Sequence, residues 1–291
     1  MSSGKEMELH QNRIVVKVGT STLTYENGQN NYRSFDRLAC VLSDIHNTGH
    51  EVILVSSGAI AVGANRLHMK TRPRLMAEKQ AAAAVGQCSI MFLYDRFFSG
   101  YGKTVAQILL NADDIGQEEK KENLTNTFNT LLEMGVIPIV NENDSVSYTE
   151  IESAERLFGD NDMLSAVVAI LCRAKRLVIF SDIDGLYDSD PRLHPKAKRI
   201  ERIDHIDEQV YGMAGGAGSR RGTGGMKTKL QAAGLATAQG IDTIITNGGH
   251  PDALYDIVKG ISTGTLFSGK SRSVKTDSPV ISVKTACTSG G

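Results

Sequence analysis

Lys17 stands inside the apolar run VVKVGTS, immediately before Gly19-Thr20-Ser21. A lysine in such a run must emerge at the strand end or meet an anion, because an unpaired buried ammonium is strongly disfavoured. The glycine and hydroxyls beside it favour phosphate contact over a solvated strand-end lysine. A second concentration of chemistry is GMAGGAGSRRGTGG, from Gly212 to Gly225, which holds seven glycines and leads into Met226-Lys227-Thr228-Lys229. Glycines let backbone N–H groups wrap an anion, and the N-terminus of the helix that follows adds partial positive charge. Two lysines in a first helical turn oppose the helix dipole, which points to an external anion. Thr223-Gly224-Gly225 and the lysines therefore read as a polyphosphate site, with a solvent loop as the blander alternative. Spacing alone does not choose between Lys227 and Lys229.

Carboxylates and amides form two further clusters. Asp160-Asn161-Asp162 precedes the apolar run MLSAVVAI, and three consecutive cap-type residues exceed what one helix start needs. They are suited to holding Mg²⁺ indirectly, orienting lysines or taking a substrate ammonium. Asn141-Glu142-Asn143-Asp144 follows the strand-like VIPIV and carries the same ambiguity. Turn chemistry explains either cluster alone, but not so easily both of them facing one crevice with a glycine loop. Asp182, Asp184, Asp188 and Asp190 do not make a calcium loop, since Gly185 is misplaced and the closing glutamate is missing. They read as a strand-end turn beside a nucleotide. Gly264-Thr-Leu-Phe-Ser-Gly269-Lys270-Ser271 matches the P-loop pattern, yet no helical pattern follows it, and a working P-loop must open a helix. That match is rejected.

The elements that must position these residues alternate along the chain. Strands are expected at Arg13 to Val18, Glu51 to Val55, Thr104 to Leu110, Val136 to Val140, Arg176 to Phe180 and Asp242 to Thr246. Helical spacing runs from Ser34 to Gly49, from Pro73 through Phe98, from Asn123 to Met134, from Asp160 to Cys172, from Met226 to Gln239 and from Asp252 to Val258. Such alternation predicts an α/β fold with helices on both faces of a mainly parallel sheet. In such a sheet the carboxyl ends of the strands share one edge, where ligands bind. Lys17 to Thr20, Ser56-Ser57-Gly58, Asn141 to Asp144, Ser181 to Asp184 and Asn247 to Gly249 would line it. Residues 10–270 form the expected domain, and 271–291 a polar tail.

With 291 residues, 41% hydrophobic and 22% charged, the composition is that of a globular protein, and a net charge of -1 offers no general field for a polyanion. Nucleic acid is not an expected partner. No secretory signal or membrane-spanning run is visible, so a soluble cytoplasmic protein is expected. Cys40, Cys88, Cys172 and Cys287 lie far apart and read as reduced thiols, mostly packing residues. His46 and His50 flank Gly49 and read as partners of a helix C-terminal dipole.

Taken together, VVKVGTS, VSSGAIAVG, QAAAAVGQ, PIVNENDSV, FGDNDMLSA, SDIDGLYDSDPR and GTGGMKTKLQAA resemble the glutamate 5-kinase branch of the amino acid kinase family, from about Ile14 to Phe267. The resemblance implies a three-layer αβα sandwich and transfer of the γ-phosphoryl of ATP, with Mg²⁺, to the side-chain carboxylate of glutamate. It implies that Lys17 and Lys229 neutralise charge on the transferring phosphoryl and that Asp162 orients them. Ser57, Asp144 and Asn161 match substrate positions, and Asp160, Gly58 and Asn141 adjoin them. Gly19, Ser181, Asp182, Thr223, Gly224, Gly225, Met226, Lys227 and Thr228 match nucleotide-binding segments together with Lys17 and Lys229. Ser181 replaces a threonine common in bacterial members and keeps its hydroxyl. No dedicated protein metal site is expected. A homo-oligomer and feedback inhibition by proline are further expectations from the family. Many bacterial members continue into a PUA domain, and this sequence stops too soon for one. A relative acting on aspartate, N-acetylglutamate or a nucleoside monophosphate would change Ser57, Asp144 and Asn161, and a non-catalytic sensor would lose the lysines. Both sets are present.

Overall fold

Apolar side chains alternate faces along the first strand, β1 (His10–Val18). Ile14, Val16 and Val18 join Phe35, Leu38, Leu42, Ile90 and Tyr94 in one core, whereas Val15 joins Phe128, Leu164, Val168 and Ala233 in another. A strand buried on both faces is the mark of a sheet covered by helices on each side. The structure is a computed structural model and describes residues 9–146, 161–214, 225–261 and 263–269.

After β1 come α1 (Thr20–Leu23), α2 (Tyr32–Asn47), β2 (Glu51–Ser56), α3 (Ala59–Arg66), α4 (Met76–Gly100) and β3 (Val105–Leu110). The chain continues through α5 (Ala112–Gly116), α6 (Glu118–Glu133), β4 (Ile137–Glu142), α7 (Asn161–Leu171) and β5 (Ala174–Ser181). Last are β6 (Arg202–Ile203), α8 (Glu208–Met213), α9 (Met226–Thr237), β7 (Asp242–Asn247), α10 (Ala253–Val258) and β8 (Thr265–Phe267). Among the described residues these strands form one sheet in the order β3-β4-β2-β1-β5-β7-β8-β6. Every neighbouring pair is parallel except β7 and β8. The result is a three-layer αβα sandwich.

The parallel register places the functional segments on one edge. Val18 pairs with Ser56, Leu110 with Glu142 and Ser181 with Asn247, so β1, β2, β4, β5 and β7 all end there. The strand order reverses direction at β1, because β2 lies on one side of it and β5 on the other. A crevice opens at such a reversal, since the connections leave on opposite faces.

Several expectations shift at element ends. Pro73 lies outside the long helix, which starts at Met76 after Leu75, with the Glu78 carboxylate accepting from the backbone N–H groups of Arg74 and Leu75. Asn31, not Ser34, caps α2, its side chain accepting from the Ser34 N–H at 3.2 Å. The sequence missed the short β6 and β8, whose two and three residues are too brief for a period to show. The false P-loop falls here: Gly264 precedes β8, which runs antiparallel to β7, so these residues extend the sheet and do not curl around an anion. Lys270 and Ser271 lie outside the described residues, as do the expected tail and Cys287.

Two smaller readings are refined. His46 stands in the last turn of α2, beside the helix C-terminus, but burial and the adjacent Lys103 ammonium push its pKa down, and its Nδ1 lies 2.9 Å from Lys103 Nζ. Among the cysteines Cys172 is buried and Cys40 half-buried, but Cys88 is exposed and is not a packing residue.

Candidate active site

Lys17 has the same parity along β1 as Val15, so its side chain faces the layer that holds α7 and α9. There it meets Asp162 in the first turn of α7: Lys17 Nζ stands 2.6 Å from Asp162 Oδ1. From the first turn of α9, Lys229 Nζ reaches Asp162 Oδ2 at 3.0 Å. Thr228 Oγ1 lies 2.9 Å from the same Oδ2. Asp162 is fully buried, and the two lysines are only 5% and 7% exposed. Burial works against the charged carboxylate, but the two ammonium groups outweigh it and hold its pKa down to about 2. The N-terminus of α7 favours the same negative charge.

One residue before Asp162, the Asn161 amide turns the opposite way and ties together the ends of β2 and β4. Its Nδ2 lies 2.6 Å from the Ser56 carbonyl, 2.9 Å from Ser57 Oγ and 2.9 Å from Asn141 Oδ1. Asn141 Nδ2 donates to Gln87 Oε1 at 2.9 Å, and Gln87 Nε2 to Gln107 Oε1 at 3.3 Å. The buried Tyr94 hydroxyl sits 2.8 Å from Ser56 Oγ. Gly58 follows Ser57 with φ +100, a conformation that glycine adopts without strain, and so turns β2 sharply into α3. Asp144 is half-buried in the turn after β4, and burial raises its pKa above the ordinary carboxylate value.

The crevice thus holds a cationic cluster and an amide–hydroxyl group, linked through the adjacent residues Asn161 and Asp162. Buried lysines organised around one carboxylate suit a multiply charged anion, and the amide–hydroxyl group suits a small polar ligand.

Comparisons with known proteins agree with this arrangement. The profile described as the amino acid kinase family matches residues 12–247. A curated relative, glutamate 5-kinase of Clostridium perfringens, is 54% identical over 258 residues, covering 89% of this chain and 96% of its own length. The glutamate 5-kinase of Listeria innocua is 48% identical over 266 residues, covering 91% of this chain and 96% of itself. The chain belongs to the amino acid kinase family, in its glutamate 5-kinase branch. Solved structures share the fold at low identity. Carbamate kinase from Giardia lamblia bound to AMP-PNP superposes with a TM-score of 0.63 at 15% identity, covering 88% of this chain and 98% of that one. UMP kinase from Bacillus anthracis gives a TM-score of 0.60 at 16% identity, with 89% and 97% covered.

Not every residue expected in this kinase's site converges equally. Lys17, Asp162, Thr228 and Lys229 form one contact group, and Ser57, Asn141 and Asn161 another. Gly19 lies beside the first group, since a Cβ placed on it would stand 3.7 Å from Lys17 Nζ. Ser181 and Asp182 end β5 next door, where Ser181 Oγ donates to Asp182 Oδ1 at 3.2 Å and Asp182 pairs with Arg192 at 3.3 Å. Gly225 caps α9, the Met226 side chain packs on the core, and Lys227 is exposed. Asp160, Thr223 and Gly224 lie outside the described residues. The expected need of both α9 lysines for an external anion is corrected for Lys229, which has Asp162 as an internal one.

A periodic signal could have separated Lys229 from Lys227. Ala232, Ala233 and Ala236 follow Lys229 at i+3, i+4 and i+7, and all are buried. Sequence reading also missed Gln87, Gln107 and Tyr94. Gln87 closes the motif QAAAAVGQ, and a lone amide on the buried face of an alanine-rich helix is a signal of its own.

Proposed function

We propose that this chain transfers the γ-phosphoryl of ATP to the side-chain carboxylate of L-glutamate, giving L-glutamyl 5-phosphate and ADP, the first step of proline biosynthesis. The observation that carries this reading is the buried Lys17–Asp162–Lys229 cluster set next to the Asn161-centred amide group. A carboxylate oxygen attacks the γ-phosphorus while the bond to the β,γ-bridging oxygen breaks, and ADP leaves with the electron pair. The nucleophile is already ionised at neutral pH, so no general base is needed, which fits a crevice built of lysines and amides.

In this reading Lys17 and Lys229 stabilise charge on the transferring phosphoryl, and Asp162 fixes both ammonium groups in place. Ser57, Asn141, Asn161, Asp144 and Asp160 hold glutamate, with Gly58 shaping the turn. Gly19, Ser181, Asp182 and the stretch from Thr223 to Lys229 hold ATP. Among the described residues no three His, Cys, Asp or Glu side chains converge as a metal cage. Mg²⁺ in this reading is held mainly by nucleotide oxygens and water, the ion's usual habit, where it would neutralise phosphate charge. We assign the kinase domain to residues 10–270 and the remainder to a polar tail. We further propose a cytoplasmic homo-oligomer inhibited by proline. Among the described residues no helix is long and apolar enough to cross a membrane.

The test is a panel of carboxylates offered with ATP and Mg²⁺, with hydroxylamine trapping any acyl phosphate formed. Glutamate is expected to give the hydroxamate well above aspartate, N-acetylglutamate and carbamate. Equal or greater trapping with one of those would overturn the substrate assignment.

A further inference from the structure

We propose that Gln87 is a positioning residue of the acceptor half-site: through Asn141 it fixes which end of the Asn161 amide is presented to the substrate. This rests on the reading that glutamate binds beside Ser57 and Asn161. Gln87 makes no contact with substrate in this scheme and acts only through the two asparagines.

The orientation of every amide in the group follows from one backbone atom. A carbonyl oxygen can only accept, so the Asn161 atom 2.6 Å from the Ser56 carbonyl is Nδ2. The Asn141 atom facing that Nδ2 must then be Oδ1, which turns Asn141 Nδ2 toward Gln87 and requires Oε1 there. Gln87 Nε2 in turn faces Gln107 Oε1 on the edge strand β3. Asn141, 2% exposed, and Gln87, 9% exposed, have little water to substitute for these partners.

The direction of the relay has a chemical consequence. Asn161 Nδ2 is shared among three protein acceptors, so the amide end left for a ligand is the carbonyl oxygen Oδ1. An acceptor in that place suits the α-ammonium of an amino acid and disfavours a carboxylate. Were Asn141 to flip, its NH₂ would meet the NH₂ of Asn161, two donors face to face. Gln87 Oε1 opposes that flip by accepting from Asn141 Nδ2.

The helix that carries Gln87 is itself tightly placed. At the crossing of α3 and α4 a Cβ on Gly63 would lie 1.7 Å from the Ala82 carbonyl oxygen, and one on Gly86 would lie 1.8 Å from that of Ala59. Gln87 is the next residue. Seven residues on, and hence on the same helix face, Tyr94 bonds Ser56 Oγ. One face of α4 therefore grips the ends of both β2 and β4.

The experiment compares KM for glutamate and for ATP in the wild-type protein, Gln87→Met, Gln87→Glu, Asn141→Ala and the Gln87→Met/Asn141→Ala double variant. Gln87→Met is expected to raise KM for glutamate about tenfold, the scale of one lost buried hydrogen bond, with KM for ATP within about twofold. Gln87→Glu keeps an acceptor toward Asn141 and is expected to recover most of the glutamate KM. In the Asn141→Ala background the Gln87→Met effect should vanish, which a general loss of packing would not produce. An unchanged glutamate KM, an equal rise for ATP, or a full effect without Asn141 would each overturn the proposal. If Gln87→Met does not fold, Gln87→Glu is set against Gln87→Lys, and a donor-only lysine serving as well as glutamate overturns it. Wild-type turnover of glutamate, measured alongside, tests the substrate reading separately. If another carboxylate proves to be the substrate, the same KM ratios taken with it still decide the role of Gln87.

Discussion

Lys17 and Lys229 approach one carboxylate from two segments far apart in sequence, at 2.6 Å from Asp162 Oδ1 and 3.0 Å from Asp162 Oδ2. Asp162 thereby sets the separation of the two ammonium groups before any ligand arrives, and preorganised charge of this kind needs no rearrangement as the transition state forms.

Lys17→Ala and Lys229→Ala should each lower kcat by about 10²-fold or more with the fold intact, the usual scale for losing one preorganised electrostatic group. Steady-state kinetics alongside circular dichroism would check this, and near wild-type turnover in either variant would sink the assignment. Asp162 adds a pH signature. Its folded pKa of about 2 lies below the ordinary aspartate value of 3.8, so its stabilisation is present above pH ~4 and lost as pH falls toward 2. Melting temperatures of Asp162→Asn should therefore change less than wild type between pH 5 and 2.

Asp144→Ala should raise KM for glutamate by about 10- to 150-fold, the range for losing a charged hydrogen bond, and leave KM for ATP nearly unchanged. Burial raises the Asp144 pKa, so its ionised form is the less stable one in the empty site, and stability falls as pH rises through that value. A substrate ammonium favours the ionised form. Glutamate binding should consequently weaken as pH drops through the raised Asp144 pKa, more steeply in wild type than in Asp144→Asn. A rise in KM for ATP instead would mean that the two half-sites are reversed.

Gly63→Ala and Gly86→Ala should each destabilise the protein by about 1–3 kcal/mol or more, because the added methyl meets backbone that cannot step aside as a side chain does. Since α3 starts beside Ser57 and α4 carries Gln87, KM for glutamate should rise in any variant that still folds. Thermal unfolding and substrate kinetics read the two effects separately. A melting temperature unchanged in both variants would contradict the close crossing.

Lys270→Ala should leave KM for ATP within about twofold of wild type, because the segment leading to it is the strand β8, paired between β7 and β6. A collapse of ATP binding would restore the rejected P-loop.

The sequence made some of this legible and hid the rest for physical reasons. Lys17 stood out because an ammonium inside a β-branched run needs an explanation, and its strand neighbours gave the parallel sheet by alternation. That Asp162 supplies the explanation depends on which face of β1 looks toward α7, a fact of sheet parity joined to topology. The choice of Lys229 over Lys227 is carried by the alanine stripe of α9, a packing signal and not a chemical one. Gln87 and Tyr94 were hidden differently: each is a single polar group on a helix read for its apolar period, and its partners come from strands 20 to 54 residues away. For His46 the helix end is visible in sequence while the Lys103 ammonium beside it, which lowers its pKa, is not.

Proline shares the α-carboxylate and a charged amine with glutamate but has no side-chain carboxylate. It can therefore use the part of the pocket near Ser57, Asp144 and Asn161 without occupying the place of phosphoryl transfer. If the Asn161 carbonyl and the Asp144 carboxylate both address the amine, the same residues must recognise both ligands. Proline should then raise the apparent KM for glutamate with little change in kcat, and Asp144→Ala should weaken both. Contacts between subunits would make the response sigmoidal, since couplings of about 1–3 kcal/mol are typical where subunits share a two-state interface. Initial rates over a grid of glutamate and proline concentrations decide the matter. Inhibition that saturating glutamate cannot relieve would place proline at a separate site, and no inhibition at millimolar proline would remove the regulatory proposal while leaving the kinase chemistry standing.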